Sequence, residues 1–438
     1  MSKLVGCLLY ADDLLIISQT EYGLQKSLNN LYEYCNIWKL QLNIRKTNII
    51  IFNQRKQQSN LEFKFGSESI KIVDTYQYLG IKVHKNGDFK CAVGTLKQKG
   101  HKAMFSLSQS LYTGITFNPD LPLKIFDHTI RPILTYGSEV WCFQYINALF
   151  KTKVIDKLPF EQTNNRFCKY VMGLPRQATN LGIKAELGRK PILAFICSQA
   201  LRYWIRLINL EESRLLKLAY MSELSIFEQG RLSWVTFIIK LLEIIQKKHL
   251  WDKHVAGINC SVNDMTSLKE STQKIIADMY FTNEFQSINE KCKLRTYKKM
   301  KHDYKMESYV NICNVPLSWR KLYCSFRISC HELEVERGRY TRPYKPPSDR
   351  ICKICYLEPE TELHFITSCP LYKELRHSMY NDIMKHNNTF QFLSNNDKFY
   401  YLLTIDHKAV ITHIMKFIYM AYKKRKMQKC SGEIVQKL

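Results

Sequence analysis

At 438 residues the chain is long enough for about three domains, and its 45% hydrophobic and 12% aromatic content excludes a disordered protein. Sixty-five Lys and Arg against 39 Asp and Glu leave a formal net charge of +26, which points to a polyanionic partner, nucleic acid ahead of a membrane surface. Fifteen scattered cysteines, an odd number with no signal peptide, exclude a disulfide framework and suit a reducing compartment, most of them filling core space.

The apolar run Leu4 to Ile17 opens the chain and is broken by Asp12 and Asp13. No small-residue cleavage site follows it, and no stretch reaches the ~18 uninterrupted apolar residues of a membrane helix. The expected protein is intracellular, in cytoplasm or nucleus, without a membrane partner. Successive residues of a regular strand point to opposite faces, so adjacent aspartates serve one site only where the strand turns. The pattern therefore predicts strands Leu4 to Tyr10 and Leu14 to Ser18 around a tip at Ala11 to Asp13. Two carboxylates at such a tip suit Mg²⁺, a hard cation that takes oxygen ligands and shares them with substrate phosphates. Paired ions activate an attacking oxygen and neutralise a leaving one. The same residues also suit a plain hairpin turn, because Asp is a common turn residue.

Leu24, Leu28, Leu31, Tyr32 and Cys35 then recur at helical spacing and predict an amphipathic helix from Glu21 to Trp38. Ile49 to Phe52 reads as a buried strand. Lys64 to Ser67 and Ser69 to Val73 read as short strands around a turn, and Tyr76 to Val83 starts another that ends at Lys85 to Asp88. Hairpin, helix, strand and hairpin make an α+β layout. From Ala92 the periodicity is helical: Leu96, Ala103, Leu107 and Leu111 mark one helix, and Leu123, Phe126, Ile130 and Leu134 another that Pro132 kinks or splits. Glu186 to Leu250 is mostly helical, while residues 252 to 290 are polar and give few signals. Basic residues concentrate at Lys291, Lys293, Arg295, Lys298, Lys299 and Lys301, and Pro316 to Glu336 reads as helical.

Cys352, Cys355, His364 and Cys369 form C-x₂-C-x₈-H-x₄-C, a compact spacing that suits a closed, structural Zn²⁺ site. Such knuckles commonly bind single-stranded nucleic acid. Cys330-His331 has no partners at suitable spacing and reads as core or surface. The proline-rich loop just upstream interleaves Arg337, Arg339, Arg342, Lys345 and Arg350 with Tyr340 and Tyr344, so guanidinium groups can pair with phosphates while tyrosines stack on unpaired bases. A solvated basic linker has the same composition. The run Lys423 to Lys426 suits an import signal, a phosphate patch or a charged helix end.

Tyr10-Ala11-Asp12-Asp13 resembles the third palm motif of the reverse transcriptases of non-LTR retrotransposons. Trp38 to Thr47 resembles their next motif, and Tyr76 to Ile81 their primer-grip hairpin. Asp127 to Trp141 is similar to the thumb segment, Glu186 to Ile192 to a block further downstream, and the cysteine–histidine unit to the C-terminal knuckle, with a longer middle gap than the retroviral one. The resemblance implies an RNA-directed DNA polymerase that takes an RNA template and a DNA primer. It implies that Asp12 and Asp13 bind two Mg²⁺, that Lys46 is a candidate acid for departing pyrophosphate, and that Tyr78, Leu79 and Gly80 position the primer end. It divides the chain into the C-terminal half of a palm (1–90), a helical thumb (91–200), a helical linker region (201–290) and a basic C-terminal domain (291–438) with its knuckle at 352–369. Family members take a third metal carboxylate and the nucleotide-binding fingers from upstream sequence, and only nine residues precede Tyr10. The expectation is a truncated, inactive polymerase; the alternative is a non-catalytic protein that binds RNA or single-stranded DNA.

Overall fold

In the computed structural model, which describes residues 6–52, 61–258, 262–287 and 294–435 (backbone alone at 109–117, 152, 262–266 and 429–435), the apolar flanks of the aspartates fold back on each other. Strand β1 (Cys7–Tyr10) pairs antiparallel with β2 (Asp13–Ile16), and Tyr10 faces Asp13. Leu4, the expected start, lies outside the described residues. In helix α1 (Glu21–Ile37) the Thr20 hydroxyl caps the first turn by accepting the Gly23 amide at 3.0 Å, and the chain leaves through a left-handed Lys39. The helix buries Leu28 and Cys35 against Ile49, Phe63, Phe65 and Ile70, and Ile16 of the hairpin packs on the same core.

Three strands carry that core: β3 (Asn48–Ile49) lies parallel to β5 (Glu68–Ile72), which pairs antiparallel with β4 (Phe63–Phe65). The free edge of β4 is covered by the Gln25 amide, which donates to the Lys64 carbonyl at 2.8 Å and accepts its N–H at 3.0 Å. The expected strand Ile49 to Phe52 is shorter than its apolar run, and Phe52 is exposed, because its partner β5 ends at Ile72. The expected strand from Tyr76 to Val83 is instead a hairpin of β6 (Thr75–Tyr78) and β7 (Ile81–His84).

Contacts divide the molecule into Met1–Thr95, the α+β unit just described, and Leu96–Leu438, which is helical. Helix α2 (Lys90–Phe117) leads into the second unit, followed by α3 (Asp120–Ile125). A π turn, Phe126–Ile130, joins α3 to α4 (Arg131–Leu134), and the Arg131 N–H donates five residues back to the Phe126 carbonyl. The expected break at Pro132 is realised as this widened turn, which accommodates a proline that has no N–H to donate. Next come α5 (Ser138–Trp141), α6 (Ile146–Phe150), α7 (Pro159–Val171), α8 (Asn180–Glu186) and α9 (Ile192–Ile208). Helices α10 (Leu215–Glu228), α11 (Trp234–Ile244) and α12 (His249–Val255) complete the helical stretch expected from Glu186 to Leu250.

The weakly patterned stretch after residue 252 holds a long helix, α13 (Val262–Gln286), packed on α9. It buries Leu268, Thr272, Ile276, Tyr280 and Glu284 at every fourth position. Two of the five are polar, which hides the stripe from a hydrophobicity count. Helix α14 (Leu317–Arg327) stops well before the expected Glu336: Ser329 turns left-handed at φ 51° and the Cys330 amide returns to the Ser325 carbonyl at 2.8 Å. This is a Schellman stop, and the short α15 (Glu334–Arg337) follows separately. Helices α16 (Lys373–Met384), α17 (Asn395–Thr404) and α18 (Lys408–Val435) close the unit, with α14 and α16 packed on α18. Among the described residues no helix is long and apolar enough to cross a membrane.

Candidate metal centres and nucleic-acid surface

The aspartate hairpin closes through a two-residue tip, Ala11 and Asp12, with Ala11 left-handed at φ 51°. A positive φ at the first tip residue suits the twist of the paired strands. It sets Asp12 at the apex and Asp13 at the first position of β2, so the carboxylates leave the backbone at a bend. Both are exposed. Ile16 in the core and the bond from the Ile17 amide to the Gly6 carbonyl, 2.9 Å, hold the base of the hairpin. The tip thus offers two hard oxygen donors to solvent on a fixed stem, as an ion shared with substrate phosphates requires. Among the described residues, no third carboxylate, His or Cys gathers with them.

Lys46 sits in a turn in which the Asn43 carbonyl accepts the amides of Lys46 and Thr47, both at 3.0 Å. The Tyr76 hydroxyl reaches the Lys46 carbonyl at 3.4 Å, so the lysine turn lies beside the β6–β7 hairpin. That hairpin turns on Leu79 and Gly80 with φ of 44° and 84°, the two positive values of a type I′ turn. Gly80 adopts this conformation freely, whereas Leu79 does so under strain and is partly exposed. Tyr78 is half-buried and the Lys46 side chain is exposed. Among the described residues, no hydrogen bond or ion pair joins Lys46 to Asp12 or Asp13.

Cys352, Cys355, His364 and Cys369 do converge. Their ligand atoms all lie within 4.8 Å of one another, and Cys355 Sγ is 3.3 Å from His364 Nε2. A bridge between Ile351 and Pro359, and a bond from the Cys352 amide to the Glu358 carbonyl at 2.8 Å, close the knuckle around a left-handed Tyr356. His364 begins a π turn that ends at Ser368, and the Cys369 amide returns to the His364 carbonyl at 2.8 Å. Glu358 Oε2 lies 3.0 Å from His364 Nδ1, which leaves Nε2 for the sulfurs. This is the carboxylate–histidine arrangement that orients a ligating imidazole. Arg376 binds the carbonyls of Ile366 and Cys369, each at 2.8 Å, and anchors the last ligand to α16.

Three thiolates and an imidazole at this spacing fit Zn²⁺: bonds of about 2.3 Å in a tetrahedron put sulfurs about 3.8 Å apart and leave no open position. The Cys369 thiol hydrogen-bonded to Cys352 outweighs burial and holds the Cys352 thiol down at about 3. Burial depresses His364, but its bonds to Cys352 and Glu358 raise it overall. A thiol must lose its proton to ligate a metal, so metal binding at this group releases protons.

Of the basic loop, Arg337, Tyr340, Arg342, Tyr344 and Lys345 are exposed. Arg339 is tied to Glu336 at 2.9 Å. Arg350 is buried: it donates to the carbonyls of Lys345 and Val335 at 3.0 and 2.6 Å and lies under the Tyr344 ring, so it shapes the loop. In the run Lys423 to Lys426, Lys423 and Lys426 are exposed but Arg425 is not free. Arg425 is 1% exposed and forks Glu360 at 2.6 and 2.7 Å. In the upstream cluster, Lys291 and Lys293 lie outside the described residues, Arg295 pairs with Glu336 and Glu362, and Lys301 pairs with Glu307 at 2.5 Å. His331 binds Glu362 at 2.8 Å.

Residues 127–141 and 186–192, far apart in sequence, meet. Arg189 forks Asp127 through both amino groups at 2.7 Å, and Arg131 reaches the same carboxylate at 3.1 Å. Buried Glu186 accepts from Arg327 at 2.8 and 3.1 Å and from the Tyr297 hydroxyl at 2.8 Å. Gly188, at φ 57°, passes so close to residue 306 that a Cβ there would stand 2.5 Å from the Met306 nitrogen. Buried Lys184 pairs with Asp156 and Glu161 at 2.8 and 3.2 Å. The reading of the sequence missed these pairs, together with Glu358, Glu360 and Arg376. The available signal was charged residues inside apolar helical runs, as at Lys184 and Glu186.

Residues 2–83 match the family described as reverse transcriptase (RNA-dependent DNA polymerase). A transposon-derived protein of Caenorhabditis elegans is 28% identical over 136 residues, which cover 31% of this chain and 48% of the relative. The chain thus spans about half the length of the curated relative it matches. No solved structure matches. The matched segment holds the aspartate hairpin, the lysine turn and the hairpin on Leu79-Gly80, so residues 2–83 are similar to reverse transcriptase sequence, and part of the chain is similar to a transposon-derived protein.

Proposed function

We propose that the chain is the C-terminal portion of a non-LTR reverse transcriptase, with palm residues at 1–90, thumb at 91–200, a helical linker region at 201–290 and a basic knuckle-bearing domain at 291–438. In the parent reaction a DNA primer 3′-hydroxyl attacks the α-phosphate of a nucleotide opposite an RNA template, and pyrophosphate leaves. Asp12 and Asp13 would hold Mg²⁺, which would supply positive charge against the attacking and leaving oxygens. Lys46 protonates pyrophosphate, and Tyr78, Leu79 and Gly80 seat the primer end. The observation that carries this reading is the family match over residues 2–83 with both aspartates exposed at a hairpin tip. Zn²⁺ at Cys352, Cys355, His364 and Cys369 is structural.

Two carboxylates hold a pair of ions weakly, so the 438-residue polypeptide alone is not expected to extend a primer. Primer extension on a primed RNA template tests this: extension that Asp12→Asn abolishes would overturn the inactivity. The exposed Arg337, Tyr340, Arg342, Tyr344 and Lys345 favour a second reading, binding of RNA or single-stranded DNA without catalysis. Salt-sensitive RNA binding without extension supports it, and no binding at low salt removes it.

A further inference from the structure

A cleft of about 300 Å³ opens in the Leu96–Leu438 unit where α3, the π turn and the loop into α9 meet. It is lined by apolar Leu123, Pro191, Ile192 and Met306 and by Lys124, Arg131, Arg189 and Lys190 against Asp120 and Asp127. Both carboxylates are taken: Asp120 by Lys124 at 2.7 Å, Asp127 by the Arg189 fork and by Arg131. One carboxylate therefore serves two guanidinium groups. Lys190 is exposed and has no anionic partner among the described residues. Arg131 lies on the Phe195 ring, 4.4 Å from its centroid, and its Nε has no acceptor. Burial depresses the Arg131 guanidinium, and Arg189 does so too, against the support of Asp127. The cleft is short of an anion.

We propose that this cleft binds one unpaired nucleotide of a single-stranded nucleic acid, its phosphate held by Arg131 and Lys190 and its base laid on the apolar lining. A planar guanidinium and an ammonium that line one cleft suit a phosphate. The volume stands at the lower end of small-ligand sites, roughly 300–1,000 Å³, and admits one nucleotide but no duplex. The net charge of +26 favours a nucleic acid over an acidic peptide. None of the residues assigned above to metal, primer or loop lines the cleft.

The test uses the full chain and an oligonucleotide bearing 4-thiothymidine, with photo-crosslinks mapped by mass spectrometry and affinity read by anisotropy. Crosslinks are expected within residues 187–195. Lys190→Glu, a surface change that leaves the fold intact, and Arg131→Lys should each cut their yield about tenfold, and Lys190→Glu should lower the salt slope of binding by about 0.7, one phosphate contact. A nucleoside monophosphate that competes for these crosslinks shows that the cleft also takes the free nucleotide; failure to compete shows that it needs the strand, and both support the site. Equal crosslinking by a duplex, equal competition by an acidic peptide, or a yield unchanged in both variants overturns it. Crosslinks confined to 337–345 would overturn the cleft and leave the loop reading standing; crosslinks confined to 187–195 would do the reverse.

Discussion

The aspartate hairpin and the cysteine–histidine unit each bring together side chains of a type that can ligate a metal, yet they are built in opposite ways. Asp12 and Asp13 stand exposed on a two-stranded stem, with the core beginning several residues below at Ile16. Cys352, His364 and Cys369 are buried, and around them Glu358 binds His364, Arg376 binds backbone carbonyls and Arg425 pairs with Glu360. The contrast follows from the chemistry. An ion that shares its ligands with a substrate must stay open to it, and an ion that replaces core packing must be enclosed.

The largest difference between the two regions should appear on metal removal. Structural zinc contributes about 10–16 kcal/mol to small zinc domains. Chelation or Cys355→Ser should release about one zinc and expose the amides of 351–372 to hydrogen exchange, while those of 7–16 stay as they were. Unchanged protection at the knuckle, or protein without zinc, would remove the metal from the account.

The buried pair behind the knuckle comes next. Glu360→Ala removes the carboxylate that forks Arg425 and leaves the buried guanidinium with the Glu332 carbonyl at 3.1 Å and Glu334 at 3.9 Å, a loss of up to about 3–5 kcal/mol, visible as a lower urea midpoint. Replacing both residues, Glu360→Leu with Arg425→Met, should recover much of it. If Lys423 to Lys426 acted only as a surface patch, the single change would leave the midpoint where it was.

A smaller effect separates the Leu96–Leu438 unit by pH. Burial raises Asp156, but the charge and hydrogen bond of Lys184, with Asn165 and Tyr280, bring its carboxyl below 3.8. A carboxyl depressed by folding stabilises fully above its unfolded pKa of about 3.9 and loses that contribution as pH falls through the lower folded value. Melting temperature should therefore drop on acidification below about pH 4, and Asp156→Asn should be less stable at neutral pH with a shallower acid drop. Parallel curves for the two proteins would show that Asp156 is not the linked group.

The smallest stability effect should fall on the most conspicuous residues. Asp12→Asn and Asp13→Asn change exposed side chains outside the core, so the unfolding midpoint should move by less than about 0.5 kcal/mol. A large shift would mean that the aspartates hold the hairpin together rather than wait for an ion.

Much was legible where local pattern and local structure coincide. The spacing Leu24, Leu28, Leu31 and Cys35 marked α1 to within a residue, because a single amphipathic stripe packs on a single core. The convergence of Cys352, Cys355, His364 and Cys369 was legible because the four lie within one short stretch of chain. Phe52 was misread because strand length depends on the partner strand, and Ile72 ends that partner. Helix α14 was overextended because the turn at Ser329 carries no glycine to announce it. The bounds of helix α13, inside the expected helical linker region, were not legible because Thr272 and Glu284 occupy core positions.

By itself, the sequence determined the turn that exposes Asp12 and Asp13, the positions of the knuckle ligands and the excess of positive charge, since each depends on residue type and short spacing alone. Only tertiary structure decided which charges are free. Arg425, Arg350 and Lys301 look like surface cations in the chain and are consumed by Glu360, backbone carbonyls and Glu307, whereas Lys190 stays open beside a cleft. Pairing a charge requires a partner at contact distance, and for Arg189 with Asp127 or Arg327 with Glu186 that partner lies far along the chain, where no local pattern reaches.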